Sequence, residues 1–89
     1  MKLINLIAPN INFSELRALC QPEDAILLRQ DAVMLCLNST ITWPAGKVYV
    51  LQMDAQVRQL SVPSGFELIS AERWVALAIA AKVNLLWQS

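Results

Sequence analysis

The segment Glu23-Asp-Ala-Ile-Leu-Leu-Arg-Gln-Asp-Ala-Val33 decides the fold. Four apolar or small residues, Ala25 to Leu28, run without a polar break and then meet Arg29, Gln30 and Asp31. The run is too short for a typical helix and does not alternate. Bounded by charges, it reads as a strand buried on both faces, the kind found in parallel α/β sheets. In such sheets ligands and partners are met at the carboxyl ends of strands, which makes Gln30 and Asp31 candidate contact residues. The plainer reading of Asp31 is that its carboxylate caps the helix that follows.

Working outward from this strand, three more strand-like runs appear at Leu3 to Ile7, Val48 to Leu51 and Phe66 to Ile69. Helical patterns separate them. Ser14 can cap a helix whose Phe13, Leu16, Leu19 and Cys20 form one apolar stripe, with Pro22 after its end. Asp31 precedes a shorter helix through Val33, Met34 and Leu37. Asp54 can cap a turn through Val57 and Leu60, and Arg58 four residues on reads as its solvated partner. Ser70 caps a last helix in which Trp74, Leu77, Ala78 and Ala81 share a face. Strands alternating with helices at this spacing predict βαβ units. The expected architecture is one domain over 1–89, a small three-layer α/β sandwich with a parallel sheet of about four strands.

Composition adds a constraint on assembly. Of the 89 residues, 56% are hydrophobic and 16% charged, against about 25% charged in an average soluble domain. A domain of this size buries only about 60–65% of its unfolded surface, so the surplus predicts an obligate oligomer. No membrane partner is expected, because no apolar stretch reaches the roughly 20 residues a spanning helix needs. Lys82 ends the run from Trp74, and Asn5 and Pro9 interrupt the start, which carries no leader pattern; the expected location is cytoplasmic.

Absences narrow the chemistry. Without histidine, Ser-His-Asp and Cys-His catalysis and the common zinc and iron ligand sets are excluded. Gly46 and Gly65 cannot build a phosphate-cradling loop, and Cys20 and Cys36, set among apolar residues, read as reduced thiols too few for a zinc site. Seven basic and seven acidic residues are interspersed, leaving no footprint for nucleic acid. No cofactor is implied.

Three segments, "DAILLRQDAV" (24–33), "KVYVLQMDAQVRQL" (47–60) and "FELISAERWVALAIAAKVNLLW" (66–87), together resemble the TusB/DsrH family of sulfur-relay subunits in order and spacing. Members carry a strand ending in Leu-Gln-Asp-Gly-Val, then a "VYAL…D…ARGL" segment, then a strand and a helix closing on a tryptophan. The corresponding stretches here are Leu28 to Val33, Val48 to Leu60 and Phe66 to Trp87. Ala32 and Gln59 stand where the family has glycine, which implies differently shaped turns, and Ser70-Ala71 replaces Asp-Tyr.

The resemblance implies a DsrE-type parallel α/β fold assembled with DsrE-like and DsrF-like sister subunits into a heterohexamer. It also implies a relay that takes persulfide sulfur from an upstream donor. The sulfur then passes toward 2-thiolation of the tRNA wobble uridine or, in sulfur oxidisers, into sulfur oxidation. In the tRNA branch the carrying cysteine sits on another subunit, which makes this chain a structural partner. The alternatives are a DsrH-like carrier that uses Cys20, and a flavodoxin-like interaction module with no sulfur role.

A carrier thiol must be exposed and its pKa lowered by a cation or a helix N-terminus. Cys20 sits at the C-terminal end of its helix, where the dipole disfavours an anion, and the family's cysteine in that helix aligns nearer Leu16. It is read as packing, as is Cys36. Trp43, Trp74 and above all Trp87 are the expected interface residues, because a thin core has little room for three indoles.

Overall fold

The computed structural model describes residues 1–87. Five strands form one parallel sheet in the order β4-β3-β2-β1-β5. They are β1 (Lys2–Leu6), β2 (Ala25–Leu28), β3 (Lys47–Leu51), β4 (Glu67–Ile69) and β5 (Val83–Trp87). All four residues of β2 are buried, as the uninterrupted apolar run requires.

The fifth strand corrects the expected count. Its residues continue the apolar pattern of the last helix, but Ala81 is extended (φ −73°, ψ 138°) and the Lys82 amide donates to the Met1 carbonyl. The chain therefore enters the sheet beside β1, with Leu3 against Asn84 and Leu6 against Trp87.

Side chains alternate across the sheet and fill two cores. Ile4, Leu6, Ile26, Leu28, Val48 and Val50 pack beneath α1 (Phe13–Leu19), a 3-10 helix (Gln30–Leu37) and α2 (Gln52–Val57). Leu3, Leu27, Tyr49, Leu51 and Ile69 pack beneath α3 (Ala71–Ala80) alone. Each fully buried Leu or Ile contributes about 1.5–3 kcal/mol, and the strands covered on both faces are β1, β2 and β3. The three-layer arrangement is as expected.

Three helix starts differ from the sequence reading. Asn12, not Ser14, caps α1, its Oδ1 accepting from the Glu15 amide at 3.2 Å. No side chain caps the 3-10 helix, which follows an extended Arg29. The third helix, α2, begins at Gln52, two residues before Asp54. Ser70 does cap α3, accepting from the Arg73 amide at 3.1 Å.

Candidate functional site: the carboxyl end of the sheet

Gln30 leaves β2 in a left-handed conformation (φ 51°), and its amide donates to Asp54 Oδ2 at 2.8 Å. Asp54 thus ties the end of β2 to the first turn of α2. Asp31 caps nothing; its Oδ1 accepts from Arg58 Nη2 at 2.7 Å and Nε at 3.2 Å. Arg58 Nη1 also donates to the Asp54 carbonyl at 3.1 Å and lies 3.9 Å from Asp54 Oδ1. Two carboxylates and one guanidinium leave this corner net negative, and the Asp31 side chain is 69% exposed. The predicted polar corner exists, and Arg58 rather than the helix backbone neutralises Asp31.

On the other face of the sheet Arg29 carries its guanidinium carbon 4.1 Å above the Trp74 ring, a cation–π contact. Its Nε is buried and has no hydrogen-bond partner among the described residues. The sequence reading missed this contact because nothing local links two residues so far apart in the chain. The carboxyl end of β2 therefore reaches α2 through Gln30 and Asp31 and α3 through Arg29.

Neither cysteine lies in this corner. Cys20 is the C-cap of α1 and is 8% exposed. Burial pushes its thiol pKa up, Asp24 adds to the rise, and Lys2 only partly opposes it. Cys36 is buried on the 3-10 helix and its thiol is also raised by burial. It lines a cavity of about 330 Å³ together with Ile41, Trp43 and Phe66.

The fold takes in all three indoles, each half-buried. Trp43 stands edge-on to Phe13 and Phe66 at 5.7 and 6.2 Å. Trp74 packs on the α3 side under Arg29. Trp87 packs against the larger core from β5, with its Nε1 buried and unpartnered among the described residues. Gln30 and Asp31 are thus brought together with Asp54 and Arg58, whereas the three tryptophans are dispersed over both faces.

This five-strand α/β sandwich has known counterparts. The family model described as DsrH like protein matches residues 9–84, and the chain belongs to the DsrH-like family. The solution NMR structure of protein Tm0979 from Thermotoga maritima resembles it with a TM-score of 0.65 and 27% identity, over 89% of this chain and 92% of that one. No curated protein matches the chain. DsrH-like proteins work in complexes with other sulfur-relay subunits, which places this chain in sulfur relay. Among the described residues no helix is long and apolar enough to cross a membrane.

Proposed function

We propose that the chain is a structural, non-carrying subunit of a cytoplasmic persulfide relay directed toward 2-thiolation of the tRNA wobble uridine. It packs against DsrE-like and DsrF-like sisters in a heterohexamer fed by an upstream persulfide donor. Gln30 and Asp31, with Trp43, Trp74 and Trp87, supply its contacts.

The observation that carries this reading is the state of the two thiols. Relay requires a thiolate to attack the terminal sulfur of the donor persulfide, forming a new S–S bond while the donor thiolate leaves. Cys20 and Cys36 are both buried, and burial raises both thiols, which disfavours the anion at either one.

The test offers a persulfide donor to the assembled complex and weighs each subunit. A gain of one sulfur, about 32 Da, is expected on a sister cysteine and not on this chain. With Cys20→Ser, assembly and wobble-uridine thiolation are retained. A persulfide on Cys20, with loss of thiouridine in the assembled Cys20→Ser complex, would establish the carrier reading instead.

A further inference from the structure

The outward face of α3 is apolar where the solvent side of a surface helix is ordinarily polar. Trp74, Leu77, Ala78 and Ala81 hold the helix to the smaller core, with Leu77 buried. On the opposite side Glu72, Val75, Ala76 and Ile79 form one exposed stripe, Val75 at 55% and Ile79 at 80%. Only Glu72 and Arg73 of the ten residues of α3 are charged, and a helix apolar on nearly every side belongs in an interior. Lys82, just past the C-cap Ala81, is exposed at the far end of the stripe. Leu85 and Trp87 pack on the larger core, so alternation puts Lys82 on the α3 side of the sheet. Neither Glu72 nor Lys82 has an ion-pair partner among the described residues.

Along the chain the stripe therefore reads acidic, apolar, basic, and the surface that complements it is the same stripe reversed. We propose that α3 docks a second copy of this chain, the two helices antiparallel about a two-fold axis level with position 77. That register sets Val75 of each copy against Ile79 of the other, and Glu72 of each against Lys82 of the other. Ion pairs then flank an apolar centre in which the small Ala76 lets the helices approach. A parallel pairing would set Glu72 against Glu72 and Lys82 against Lys82, so charge fixes the direction. The contact is isologous and closes after two copies. This inference does not depend on the relay reading.

Sedimentation equilibrium of the full chain at low ionic strength tests it by charge reversal. The unmodified chain is expected to dimerise. Glu72→Lys alone and Lys82→Glu alone each set like charges at both ends of the contact, and each should weaken the dimer at least fivefold with unchanged circular dichroism. An equimolar mixture of the two variants should restore dimers at the original affinity, because each copy then meets the opposite charge. Ile79→Ser should weaken the dimer at least tenfold. Glu15→Lys, in the first turn of α1 on the other side of the sheet, should leave it intact. If Glu72→Lys does not fold, Lys82→Glu and Ile79→Ser carry the test. A chain that stays monomeric, as it would if the stripe served only a sister subunit, would overturn the proposal. So would single reversals without effect, a mixture that fails to associate, or equal weakening by Glu15→Lys.

Discussion

At the amino end of the sheet Asp24 is buried, accepting from the amides of Lys2 and Gln21 at 2.8 and 2.9 Å, with the Lys2 ammonium at 2.8 Å. At the carboxyl end Asp31 and Asp54 share Arg58 near the surface, and only the Gln30 amide is held. Both corners pair carboxylates with a cation and with backbone. Burial separates them: the Asp24 side chain is 3% exposed, whereas that of Asp31 is 69% exposed and open to water. The first arrangement is structural, and the second leaves charge free to meet a partner.

The largest effect should therefore come from Asp24→Ala, which leaves two amides and a lysine without their acceptor. A loss of about 2–4 kcal/mol is expected in urea unfolding. The pH dependence carries the same mark. Burial alone would raise the Asp24 carboxyl, but the hydrogen bonds from Lys2 and from the amides of Lys2 and Gln21, with the Lys2 charge, bring it down to about 2. Its unfolded value is about 3.9, so the unfolded chain binds the proton first as pH falls. The stabilisation is complete above about pH 4 and is lost as pH falls through about 2. An acid titration of Asp24→Ala should lack that step.

Next in size is Gly46→Ala. A Cβ there would lie 2.6 Å from the Pro22 carbonyl oxygen, the atom that accepts the Gly46 amide at 2.9 Å. That oxygen belongs to the backbone of the loop that also carries Asp24, so relief requires moving the same corner. About 2 kcal/mol of destabilisation is expected in the same unfolding measurement. A neutral result would mean that the amino end is looser than its hydrogen bonds imply.

Period and polarity made β2, β3 and the buried stripe of α3 legible in the sequence, because a parallel strand buried on both faces has no polar interruption. β5 was not legible, because Val83 to Trp87 prolongs an apolar helix and only pairing with β1 distinguishes the two. Gln30 and Asp31 could be found from their place after β2, but Arg58 as the partner of Asp31 and Trp74 as the partner of Arg29 are long-range contacts with no local pattern.

The Gln59 turn shows another limit. Gln59 in place of glycine suggested an altered turn, yet it keeps the left-handed geometry at φ 54°. The Gln59 amide donates to Gln56 and the Leu60 amide to Ala55, which completes a Schellman ending for α2. At the other glycine position, Ala32 is buried within the 3-10 helix and the left-handed residue is Gln30. Gln59→Gly should therefore stabilise the fold by about 1 kcal/mol, read as a higher urea midpoint with unchanged slope. A loss would show that the Gln59 side chain supports the carboxyl end in a way its backbone does not reveal.

The smallest effect on stability should come from Arg58→Ala, and it tests the comparison most directly. Its partners Asp31 and Asp54 keep access to water, and the Arg58 side chain is itself 26% exposed. Lost attraction is then largely replaced by hydration, and exposed pairs of this kind contribute about 0.2–1 kcal/mol, less in high salt. The isolated chain should lose less than 1 kcal/mol in low salt and almost nothing in high salt. Removing the cation also turns the corner from one net negative charge to two, so a partner group matched to that corner meets a changed field and a mobile Asp31. Co-purification with the sister subunits should therefore change while the fold does not. If Arg58→Ala instead destabilises the lone chain as much as Asp24→Ala and leaves co-purification as it was, the carboxyl-end cluster is a second structural knot and the two ends of the sheet do the same job.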